Sequence, residues 1–330
     1  LNCLSCCFAI MRSSFSTIFS SYHIFINFGF SHFDLYYLYS STKEGMPMFG
    51  EKLDPAVLRK TIEEAQQAMP EEPGVVFEAL KFGEMDAEKA VSQNYQDDAV
   101  IIYMHGGGLV CGNAYTSRGY SGVLASEAGY PVYAFSYRLA PEDPYPAAIN
   151  DCFEAYKEII KIHSGKPVFL IGESGGAYLS LTTALMAKEA KIPMPSGVIP
   201  YSPVMDFSGK IDRSRNADKD ITVTPEGMIT LRDLYCPQES AWKDPLVSPV
   251  YADYRNFPAT MIVWDRDETL APDAEILVEM LEAEGVKVSY KSYEGCFHAF
   301  PTTGKGTPES YEVLKDTVRF MHEQVELFNN

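Results

Sequence analysis

Two hydrophobic rhythms take turns along this chain. Short apolar runs at 75–82, 99–104, 131–136, 168–171, 197–201, 260–264 and 286–293 are bounded by Gly, Pro or polar residues. Runs of that length predict buried strands. Between them lie stretches with helical spacing, at 51–69, 117–128, 147–163, 177–190, 272–284 and 308–327. In the first, Leu53, Ala56, Val57, Ile62, Ala65 and Met69 make a stripe, with Asp54 as N-cap and Pro55 at the first helical position. Gly285 suits the residue just past a helix end. The polar stretch 83–98 reads as a loop or short hairpin. Strand and helix in alternation predict an α/β fold, a mostly parallel sheet with helices on both faces.

Two segments break the rhythm. Residues 203–256 form a long polar and charged excursion with one helical piece near 225–235. An excursion at the end of a strand predicts a cap over a site, together with residues 46–70. Residues 1–45 are rich in Ser, Phe and Tyr, carry only Arg12, Asp34, Lys43 and Glu44 as charges, and show no periodicity. They read as a leader outside the 46–330 domain, with Met46 or Met48 as the natural start. The uncharged run between Arg12 and Asp34 is too polar for a good membrane span and lacks a clean export signal. No stable membrane association is expected.

Composition narrows the chemistry. The 330 residues carry a net charge of −18, and the 27 basic residues form no run or stripe, which argues against nucleic acid. Cys111, Cys152, Cys236 and Cys296 are widely scattered. They read as free thiols in a reducing compartment, so the expectation is cytoplasmic. Among these four no C-x-x-C occurs, and no His-x-x-x-His spacing appears in the chain, so no metal is expected. No cofactor is expected, and a homo-oligomer is left open.

The chain is organised around Gly172-Glu173-Ser174-Gly175-Gly176, between a strand and a helix. A serine on so sharp a turn is held in a strained conformation, its hydroxyl clear of the sheet. A serine hydroxyl near neutral pH needs a base, a group to orient the base, and donors for an oxyanion. His163, at a helix end, and His322, in the last helix, read as surface residues. His298, in a loop after the last strand, falls on the same sheet edge as Ser174 and is the predicted base. Asp265, Arg266, Asp267 and Glu268 follow strand 260–264. That edge is where the acid belongs, and the spacing leaves Asp265 and Asp267 both open. His105-Gly106-Gly107-Gly108 also follows a strand. Its amides suit an oxyanion hole made by Gly106, Gly107 and Gly175. A phosphate loop is disfavoured, since neither G-x-G-x-x-G nor Gly-Lys-Ser/Thr follows.

Taken together, His105 to Gly108, Tyr137 to Glu142, Pro144 to Asp151, Gly172 to Gly176, Ser202-Pro203 and His298 resemble the hormone-sensitive-lipase-like family of α/β-hydrolase carboxylesterases over about residues 70–325. The resemblance implies an eight-stranded sheet, a small cap, and hydrolysis of small-molecule carboxylic esters with short acyl chains. It also implies that the acid is the Asp of an Arg-Asp step, here Arg266-Asp267, so that Ser174, Asp267 and His298 form the catalytic set. The rival readings are an amidase or peptidase on the same fold, and an inactive homologue that binds a small molecule.

Overall fold

Eight strands lie in the order β1-β2-β4-β3-β5-β6-β7-β8 in the computed structural model, which describes residues 48–68, 71–220 and 222–330. The strands are β1 (Val75–Phe82), β2 (Met85–Ser92), β3 (Val100–Met104), β4 (Val132–Phe135), β5 (Val168–Glu173), β6 (Gly197–Tyr201), β7 (Thr260–Asp265) and β8 (Val288–Tyr293). β2 is antiparallel to β1 and to β4, and every later pairing is parallel. The polar stretch after β1 is therefore the second arm of a hairpin. The predicted leader, residues 1–45, and Met46 lie outside the described residues, as does Met69 of the first stripe; Met48 lies within them.

The helices among the described residues are α1 (Pro55–Ala68), α2 (Arg118–Ala128), α3 (Ala147–Ile162), α4 (Gly175–Ala190), α5 (Pro225–Tyr235), α6 (Ala271–Ala283) and α7 (Pro308–Asn329). Asp54 caps α1 as expected, accepting the amide of Ala56 at 2.9 Å. The two-residue alternation of β3 and β5 splits the core in two. Ile102, Met104 and Leu170 face α3, α4 and α6; Ile101, Tyr103, Phe169 and Ile171 face α2 and α7. Both faces are thus buried, which is why these strands read as continuous apolar runs.

The two segments outside the alternation are fastened to each other and to the sheet. Phe49 pairs with Val223, through Phe49 N–H to Thr222 O at 2.8 Å and Thr224 N–H to Phe49 O at 3.1 Å. Arg59 on α1 donates to Val110 O at 2.7 Å and Ala140 O at 2.8 Å, behind the glycine loop. Arg213 in the 203–256 excursion is buried against Asp273 of α6 at 2.6 Å.

Candidate active site

The elbow after β5 is as sharp as its glycines imply. Ser174 sits at φ 53°, ψ −119°, a conformation that costs roughly 1–3 kcal/mol and persists only where packing imposes it. The packing is visible at Gly176, where a Cβ would lie 1.9 Å from Met104 O, and at Gly172, where it would lie 2.3 Å from Gly176 O. The helix that follows, α4, opens at Gly175, so its first free N–H groups gather beside the serine.

His298 lies in the loop after β8, buried, and lines the same cleft as Ser174. Its Nδ1 is 2.9 Å from Glu268 Oε2, both side chains being 1 % exposed. Its Nε2 is buried with no partner among the described residues. Burial disfavours the charged imidazole, but the hydrogen bond and charge of Glu268, with Asp220 and Glu173 adding to them, hold the His298 pKa above its ordinary value. Burial in turn pushes the Glu268 carboxyl up, against the pull of His298, so the two titrate as a pair.

The acid position therefore corrects the sequence-based expectation. Asp267 is not the carboxylate on His298; it is one-third exposed and pairs with Lys219 at 2.7 Å. Asp265 is a brace, accepting the amides of Asp267 at 2.8 Å and Cys296 at 2.9 Å. β7 runs through Asp265, so Arg266-Asp267 forms the exposed tip of the turn and Glu268 is the first side chain to re-enter the core. The one cue in the sequence is that Glu268 leads directly into apolar Leu270-Ala271, whereas Arg266-Asp267 is a charged pair.

Further contacts from the 203–256 excursion hold that turn. Asn216 Nδ2 donates to Arg266 O at 2.8 Å and to Glu268 O at 2.9 Å. Asp220 Oδ2 accepts the Thr269 amide at 2.7 Å. Ser202, whose side chain also bonds to Glu268, accepts the amide of Ala299 through Oγ at 3.2 Å.

The glycine loop also departs from expectation at one residue. Gly106 N–H donates to the Glu173 carboxylate, so it is not free to meet an oxyanion. The amides of Gly107 and Gly175 make no hydrogen bond among the described residues. Gly107 has φ 105°, and a Cβ there would lie 2.4 Å from Cys111 O. The loop passes close to the elbow, since a Cβ on Gly175 would sit 3.4 Å from Gly108 N. Burial pushes Glu173 up to about 7, while Tyr103 and the Gly106 amide hold it back. His105 is stacked on Tyr137 at 4.2 Å between ring centres and is pushed down to about 4 by burial, so it is a neutral prop under the loop. His163 is not at the surface as its helix end suggested; it is buried with Nε2 2.9 Å from the Tyr133 hydroxyl.

Comparison with known proteins agrees with this architecture. Residues 101–302 match the family described as alpha/beta hydrolase fold. An esterase of Acinetobacter venetianus is 30% identical over 271 residues, 81% of this chain and 89% of that protein. An acetyl-hydrolase of Streptomyces hygroscopicus is 28% identical, over 68% of this chain and 76% of that protein. A crystal structure described as a hormone-sensitive lipase from a metagenome library superposes with a TM-score of 0.78 at 29% identity, over 83% of this chain and 92% of that one. Fold and relatives define an ester hydrolase. The chain belongs to the α/β-hydrolase fold family, as a hormone-sensitive-lipase-like carboxylesterase. No helix among the described residues is long and apolar enough to cross a membrane.

Proposed function

We propose that the protein hydrolyses carboxylic esters with short acyl chains through an acyl-enzyme on Ser174. The observation that carries this reading is His298, bound through Nδ1 to Glu268 while its unpartnered Nε2 shares a cleft with the strained Ser174. Nε2 takes the Ser174 proton as Oγ attacks the ester carbonyl. Glu268 fixes the ring and stabilises its cation. The oxyanion rests on the amides of Gly107 and Gly175, each worth about 3 kcal/mol by analogy with other oxyanion holes. His298 then gives its proton to the departing alcohol. Water, deprotonated by the same nitrogen, releases the acid and restores the serine. Every atom is accounted for by ester and water.

In this reading the 46–70 and 203–256 segments act as a cap, since Met48, Phe49, Ile62, Met228 and Leu231 all border the space around Ser174. A short acyl group accords with the acetyl-hydrolase named among the relatives. The test is Ser174→Ala on a short-chain aryl ester: turnover should vanish, and retained turnover would remove Ser174 from the mechanism.

A further inference from the structure

Two clefts of unequal size meet at Ser174. One is shared with His298 and Gly107, is bordered by Gln66, Thr116 and Thr302, and has a free volume of about 100 Å³. The other lies on the Gly175 side. It is walled by Val204, Phe207, Met228 and Leu231 and holds about 10 Å³, room for about one water or a methyl group. His298 borders the first cleft and is not among the walls of the second.

That asymmetry decides which half of an ester goes where, given the acyl-enzyme reading above, on which this inference rests. When the tetrahedral intermediate collapses, the protonated imidazole must reach the oxygen of the departing alcohol, within about 3 Å. The alcohol therefore occupies the His298 side. The acyl group, bonded to Ser174 Oγ with its oxygen on the Gly107 and Gly175 amides, projects into the other cleft. We infer that the protein selects esters that are lopsided in size: an acetyl-sized acyl group, limited by Met228 and Leu231 of α5, on an alcohol bulky enough to carry a ring. The acyl limit belongs to the 203–256 excursion, and the alcohol side is shared by α1, the start of α2 and the loop after His298.

Two series of alkyl esters test this, because their leaving groups are of similar basicity. In one, the acyl group is acetyl and the alcohol grows from ethyl to benzyl to naphthylmethyl. In the other, the alcohol is benzyl and the acyl group grows from acetyl to butanoyl to octanoyl. With the wild-type chain, kcat/KM should hold or rise along the first series and fall along the second. Leu231→Ala and, independently, Met228→Ala should raise the octanoate-to-acetate ratio about tenfold, the scale of discrimination by methylene groups in an apolar pocket, and leave the alcohol series unchanged. Thr302→Phe should lower the naphthylmethyl-to-ethyl ratio and leave the acyl series unchanged. Each ratio is taken within one preparation, so it does not depend on how much of a variant is folded. Alcohol selectivity that shifts with Leu231→Ala, acyl selectivity that shifts with Thr302→Phe, or ratios unchanged in both α5 variants would overturn the assignment of sides. Failure of the wild-type chain to cleave any ester would sink the acyl-enzyme reading itself.

Discussion

His298 Nδ1 and Glu268 Oε2 are 2.9 Å apart inside the protein, and the neighbouring Asp267 carboxylate is turned outward onto Lys219. Glu268→Gln keeps the size of the side chain but cannot hold the imidazole in the productive tautomer or stabilise its cation. We expect kcat to fall by roughly 10³–10⁴, as when the acid of other triads is neutralised. Asp267→Asn removes a half-exposed ion pair worth about 0–1 kcal/mol, so its kcat should stay close to wild type. Ester turnover by the two variants side by side checks the assignment, and the reverse ranking would restore Asp267.

The same pair sets a pH dependence. His298 must be neutral to accept the serine proton, and its pKa lies above the ordinary imidazole value because of Glu268. Activity should therefore be lost as pH falls through that raised value, placing the acid limb of kcat/KM above about 6.5. In Glu268→Gln the raising partner is gone while burial remains, so the limb should move to lower pH. A pH–rate profile of both forms measures it; a limb that stays in place would mean that another group controls it.

Asn216 ties the 203–256 excursion to the backbone of the turn that carries Glu268. Asn216→Ala leaves the carbonyls of Arg266 and Glu268 without the donor that spans them. A loss of about 1–3 kcal/mol in stability is expected from buried groups left unpaired. Because the slack falls on Glu268, kcat should drop together with kcat/KM while KM changes little. Thermal unfolding and steady-state kinetics on the variant would show this. A stability loss with unaltered kcat would make Asn216 a purely structural prop.

The elbow should tolerate no added methyl. In Gly176→Ala the new Cβ would meet Met104 O at 1.9 Å, backbone against backbone, and the variant should not yield folded protein. Gly165→Ala, where nothing lies within 4 Å but φ is +81°, should cost only about 1–2 kcal/mol of left-handed strain. Circular dichroism melts of the two variants distinguish the contact from the backbone effect.

What could be read along the chain is what short-range chemistry decides. The strand and helix periods, the caps at Asp54 and Gly285, and the Gly-flanked turn at Ser174 depend on neighbours a few residues away, and each predicted element has its counterpart in the fold. His298 could be placed because a loop after a given strand must open on a given edge of the sheet. The direction of a side chain within one turn has no such local determinant. Asp265, Asp267 and Glu268 are all carboxylates, and Glu268 faces His298 because Asn216, fifty residues earlier, grips the turn at the carbonyls of Arg266 and Glu268 while Lys219 draws Asp267 outward. The amide of Gly106 is likewise spoken for by Glu173, sixty-seven residues on. Periodicity and turn chemistry decided which segments converge; only long-range packing decided which of several equivalent groups on those segments meet.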